Sequence, residues 1–153
     1  MKRRLLAVAT VVACLVGVTQ CGCSATAIPT ETGASSEAKA VGGGDSSFAR
    51  AFVDRTGNLE LEGQGTVSEL LTDDTDGARH QRFIVRLDSG QTLLVTHNID
   101  LAPRVSALRV GDTVSFKGEY EWNAQGGLIH WTHHDPTGSH TAGWIRHDGR
   151  TYQ

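Results

Sequence analysis

From Val114 to Trp122 the chain alternates without a break, with Val114, Phe116, Gly118, Tyr120 and Trp122 on one side and Ser115, Lys117, Glu119 and Glu121 on the other. Such a period of two describes a strand with one face buried and the other in water, and no amphipathic helix satisfies it. A strand of this kind must find hydrogen-bonding neighbours that bury the same face.

Those neighbours are legible by the same criterion. Leu59-Glu60-Leu61-Glu62 alternates, and Thr66 to Leu71 continues the strand after Gly63-Gln64-Gly65, whose glycines suit a bulge or bend. Asp73-Asp74-Thr75-Asp76-Gly77 is a turn by composition, and His80 to Leu87 is the second strand. Asp88-Ser89-Gly90 fits a hairpin loop with glycine in the left-handed position, which pairs Leu87 with Gln91. Phe83, Val85, Leu93, Val95 and His97 then share one face. Asn98 to Leu108 is not strand-like and reads as a turn or short helical connection. After Trp122, Asn123-Ala124-Gln125-Gly126 turns the chain into a fifth strand, Gly127 to about His133, closed by Asp135-Pro136-Thr137-Gly138.

Five strands with the long connection between the third and fourth is the order of an OB-type barrel, whose strand 2–3 face and adjoining loops bind oligonucleotides or oligosaccharides. The expected fold is therefore mostly β: a small five-stranded OB-like antiparallel barrel with one short N-terminal helix and an irregular C-terminal tail anchored by Trp144 and Ile145. An open antiparallel sheet covered by loops is the alternative. The expected interior is Phe83, Val85, Leu93, Val95, Val114, Phe116, Tyr120 and Trp131.

Ahead of the barrel the sequence changes character twice. Met1-Lys2-Arg3-Arg4 followed by the apolar run Leu5 to Val18 and by Ala25-Thr26-Ala27 has the three parts of a secretion signal, with cleavage expected after Ala27 and a mature N-terminus at Ile28. The run is shorter than the ~20 residues of a membrane span, so no transmembrane segment is expected in the mature chain. A lipoprotein signal is the rival, but Cys21 and Cys23 lack its flanking residues, and Cys14 follows too short an apolar run. Residues 28–47, rich in Ala, Ser, Thr, Gly and Glu, read as a flexible tether. Asp45-Ser46-Ser47 offers N-caps for a helix from Phe48 to about Arg55, stopped by Gly57-Asn58. The expected organisation is a signal peptide at 1–27, a tether at 28–47 and one domain at 48–153, exported to the periplasm or the cell exterior.

All three cysteines precede residue 24, so a chain cut after Ala27 has neither a disulfide nor a thiolate site. From Phe48 onward 10 Lys and Arg stand against 14 Asp and Glu, a balance that disfavours non-specific nucleic-acid binding. All seven histidines of the chain lie in that same part.

The words Arg79-His80-Gln81-Arg82-Phe83-Ile84-Val85, His97-Asn98-Ile99-Asp100-Leu101-Ala102-Pro103-Arg104, Gly118-Glu119-Tyr120-Glu121-Trp122-Asn123, His130-Trp131-Thr132-His133-His134-Asp135-Pro136 and Gly143-Trp144-Ile145 span most of the folded part. In them the chain resembles a family of small exported bacterial proteins known as domain of unknown function 3465. The resemblance implies family membership and export, and no activity.

The candidate chemistry lies in clusters. His130, His133, His134, Asp135 and His140 offer nitrogen and oxygen donors for a divalent metal such as zinc. On one strand His130 and His134 would lie about 13 Å apart, so this segment alone cannot close a site. A four-residue turn sets Glu119 opposite His130, Lys117 opposite Thr132 and Phe116 opposite His133. Glu119 and His130 would form a carboxylate–imidazole pair on the outer face, either orienting a ligand or serving as a simple surface pair. His97, Asn98 and Asp100 leave a strand for a loop, which suits ligand binding and equally suits capping. Asp73, Asp74 and Asp76 read as a solvated turn, lacking the glutamate that completes an EF-hand loop. Arg79, Arg82 and Arg86 could meet phosphate or balance nearby carboxylates. Trp122 and Trp131 read as core, and Trp144 as the exposed stacking residue.

Together these features lead to an exported, non-enzymatic OB-type binding module for an oligosaccharide or another envelope ligand, built around strands two and three, Arg82, His97 and the 130–140 stretch. A metal-dependent hydrolase or nuclease using the histidines is the rival class. A structural or interaction protein, in which the histidines only satisfy hydrogen bonds, is the third.

Overall fold

A computed structural model describes residues 42–153, and the expected signal peptide and the tether up to residue 41 lie outside them. Helix α1 (Gly42–Asp54) is followed by β1 (Leu59–Leu70), β2 (His80–Arg86), β3 (Thr92–Asn98), β4 (Thr113–Glu121), β5 (Leu128–His130), β6 (Trp144–His147) and β7 (Arg150–Tyr152). Among the described residues no helix is long and apolar enough to cross a membrane.

The strands run in the order β1-β2-β3-β5-β4, and β1 pairs again with β4 to close a five-stranded barrel. The length of β1 makes closure possible. Its first part, Leu59 to Thr66, pairs with β4, and its last part, Thr66 to Leu70, pairs with β2. Between them the ladder slips at Val67/Glu69, so the bulge falls beyond the glycines that the composition favoured. The β2–β3 register is the one read from the hairpin loop: Leu87 donates its N–H to Gln91, and Phe83 faces Val95. The barrel is OB-like and mixed, because β3 and β5 are parallel through Leu94↔Leu128 and Val95↔Ile129, where an all-antiparallel barrel was expected. The long β3–β4 connection allows this, since it carries the chain across the barrel before β4 begins. Val67, Phe83, Val85, Leu93, Val95, Val114, Phe116, Tyr120 and Ile129 fill the interior.

Helix α1 begins at Gly42, earlier than its caps suggested, so residues 42–47 of the expected tether are helical. Asp45 is not an N-cap; its carboxylate accepts from the N–H and hydroxyl of Ser89 (2.6 Å each) and ties the helix to the β2–β3 hairpin. Phe48 enters the core against Phe116 and Tyr120, its ring centroid 5.9 and 5.8 Å from theirs. Gly63 makes room for it, since a Cβ there would stand 2.6 Å from the Phe48 ring.

The C-terminal tail is not irregular. β6 and β7 form a hairpin whose turn, Asp148-Gly149, has positive φ at both positions, as tight right-twisted hairpins require. β6 adds to β4 through Lys117↔Trp144 and Phe116↔Ile145. The edge of β4 opposite β1 is therefore shared: β5 holds Glu119 to Glu121, and β6 holds Ser115 to Lys117. This overturns the expected pairings of Lys117 with Thr132 and of Phe116 with His133.

Candidate functional site

β5 stops at His130 because Trp131 adopts φ +51°, a left-handed conformation that leaves the ladder. The turn sends Thr132 and His133 into the barrel end and leaves Trp131 half-buried outside it, contrary to its expected place in the core. Trp131 stacks on His140 at 4.2 Å, with the His133 ring edge-on to both. The chain closes over this point at Gly143, where a Cβ would meet the Trp131 carbonyl at 2.1 Å.

His97 lies on the inner face at the end of β3 and is wholly buried. Its Nε2 is 3.1 Å from the carbonyl of Pro103, which can only accept, so Nε2 carries the proton. Nδ1 then accepts from the Thr132 hydroxyl at 2.9 Å. Burial pushes the imidazole from its ordinary 6.5 down to about 4, outweighing both hydrogen bonds, and the ring is neutral at pH 7. Beside it Gln81 exchanges two hydrogen bonds with the backbone of Val105. The two side chains fasten the β3–β4 connection and the turn after β5 to the barrel. Thr132→Val keeps the shape but strips Nδ1 of its donor; a loss of about 1–2 kcal/mol is expected in urea unfolding.

The neighbouring polar groups cap and tether. The Asn98 side-chain oxygen accepts from the N–H groups of Asp100 and Leu101. The N–H of Arg79 and then its guanidinium hold Asp100 below the usual carboxylate range. Arg82 donates to the Thr72 carbonyl, and Arg104 pairs with Asp73.

Of the expected metal ligands, His133 and His140 lie with ring centroids 5.1 Å apart and Asp135 beside His140, whereas His130 joins other partners. His133 donates Nδ1–H to the His134 carbonyl, and its Nε2 is buried without a partner among the described residues. His134 is exposed. Asp135 organises the following loop: burial raises its pKa, but bonds from the N–H groups of His140 and Thr137 and the hydroxyls of Thr137 and Ser139 more than reverse this and hold it ionised. His140 Nε2 stands 4.0 Å from that carboxylate. Among the described residues, His130, on the outer face of β5, joins a ligand-like group with Glu119 and Glu121; their donor atoms lie within 4.8 Å of one another. Glu121 is the member that the sequence reading passed over, although its place two residues after Glu119 puts it on the same face. His147, also passed over, is buried and donates Nε2–H to Asp112 at 2.8 Å. Trp144 is half-buried, with the Arg146 guanidinium 3.9 Å from its ring centre.

A groove of about 560 Å³ crosses the face of β2 and β3. Ile84 and Leu94, cross-strand partners, form its floor, and Ser68, Glu69, Arg86, Thr92, Asn123 and Gln125 its polar margin. Asn123 and Gln125 come from the β4–β5 loop, which the Asn123 side chain braces by accepting from the N–H groups of Gln125 and Gly127. The exposed Arg86 side chain makes no hydrogen bond or ion pair among the described residues.

A family model described as "Protein of unknown function (DUF3465)" matches residues 33–153. No curated protein matches the chain.

Proposed function

We propose that this chain, which belongs to the DUF3465 family, is an exported, non-enzymatic binding module that takes an oligosaccharide in the groove across β2 and β3. One observation carries the reading: at the place where OB-type barrels take their ligands, an apolar floor is bordered by an arginine with no partner among the described residues, a carboxylate, two side-chain amides and two hydroxyls. Such a margin matches a ligand rich in hydroxyl and amide groups and low in charge, over a floor that can accept a sugar's C–H face. The acidic balance of the domain disfavours a polyphosphate in the same place. The basic start, apolar run and small-residue site of residues 1–27 support export.

Titration of isotope-labelled protein with chitotetraose, followed by amide chemical shifts, tests the reading. Shifts are expected at Ile84, Arg86, Leu94 and Gln125, with affinity reduced about ten-fold by Arg86→Ala, equivalent to about 1.4 kcal/mol. Absence of shifts in the groove with a panel of soluble oligosaccharides would overturn the ligand class. Tighter binding of an oligodeoxythymidylate would replace it.

A further inference from the structure

We propose that Glu119, Glu121 and His130 form a binding site for one divalent ion of the zinc type on the outer face of β4 and β5. Alternation along β4 places Glu119 and Glu121 on one face, and the β4–β5 register sets His130 directly opposite Glu119. All three side chains are half-buried, and their donor atoms lie within 4.8 Å of one another.

The His130–Glu119 geometry is the second observation. Nε2 stands 3.2 Å from Glu119 Oε1, yet this atom, on a side chain 29% exposed, is itself closed to solvent and has no hydrogen-bond partner among the described residues. The two atoms are near but not aligned on each other. Donors at about 2.0–2.2 Å from a common ion have neighbouring ligand atoms roughly 3–3.5 Å apart, and the His130–Glu119 separation falls in that range.

The surrounding charge points the same way. Glu60 on β1, which is exposed, stands opposite Glu119, a like-charge pairing that a bound cation would relieve. Lys117, the next residue on this face of β4, stands opposite Glu62 on β1. The group itself sets two carboxylates beside one imidazole. Room for Glu121 is made at Gly57, where a Cβ would lie 2.3 Å from Oε2. One imidazole with carboxylates and no thiolate suits zinc or a similar first-row ion better than calcium or magnesium, which take oxygen alone. Three protein donors leave further coordination positions to water.

The site shares no residue with the groove, so the two assignments fail separately. Equilibrium dialysis of the tag-free chain starting at Ile28, which contains no cysteine, against zinc, with elemental quantification, is expected to give one ion per chain and a raised unfolding temperature. Glu121→Gln and His130→Gln should each weaken binding by about ten-fold or more while keeping the metal-free unfolding temperature, and Asp135→Asn and His140→Gln should leave binding unchanged. No saturable zinc binding overturns the proposal. So does affinity unaffected by both Glu121→Gln and His130→Gln, or lost on His140→Gln, which would move the ion to the C-terminal loop.

Discussion

Between pH 7 and pH 4 the protein should lose about 3 kcal/mol of stability through His97 alone. The folded-state pKa is depressed from 6.5 to about 4 because the ring is sealed in the barrel end. A proton taken up in this range therefore goes to the unfolded chain in preference to the folded one. Stability from this group is complete above the unfolded value and falls as the pH drops from 6.5 toward about 4, at about 1.4 kcal/mol per pH unit. His133, also pushed down by burial, acts in the same direction. The carboxylates of Asp100, Asp112 and Asp135 have lowered pKa values, so their contribution is lost mainly at still lower pH. His97→Gln offers an amide in place of the ring and does not titrate. Urea unfolding at a series of pH values should therefore show the variant with a slope shallower by about 3 kcal/mol over the interval. Parallel slopes for the two proteins would refute the assignment.

A large effect of a single added methyl is expected at Gly127. Its φ of +119° strains any residue with a side chain, and a Cβ there would stand 2.1 Å from the Tyr120 ring. That ring cannot move aside, because Tyr120 is fully buried and its hydroxyl donates to the Gly126 carbonyl at 3.2 Å. Backbone strain and overpacking together should reduce stability by about 4 kcal/mol in Gly127→Ala. Gly90→Ala separates the two causes. At φ +88° with open space around it, Gly90 meets only the backbone penalty, about 1 kcal/mol. Equal losses in the two variants would show that the Tyr120 contact contributes nothing.

The β2–β3 hairpin, the face of β4 and the Glu119–His130 pairing were legible because each depends on neighbours in sequence. Alternation says which residues face inward, and a tight loop counts out the register. Trp131 was misplaced for the opposite reason. Its left-handed backbone is set by the chain returning at Gly143 and by β6 occupying the lower edge of β4, and both lie more than ten residues away. The β6–β7 hairpin was missed because its strands are too short for alternation to register, although Asp148-Gly149 is a recognised hairpin turn.

The sequence by itself determined a mostly β domain of OB order, the interior residues of β2, β3 and β4, and the absence of any cysteine after Cys23. These follow from local periodicity and composition, which survive in any fold the chain adopts. The tertiary structure alone decided the parallel contact of β3 with β5, the burial of His133, and the meeting of Glu121 with Glu119 and His130. It also assembled the groove from β1, β2, β3 and the β4–β5 loop. Each depends on which distant segments share an edge once the barrel closes, and in a barrel that choice is made by the long β1 strand pairing on both sides.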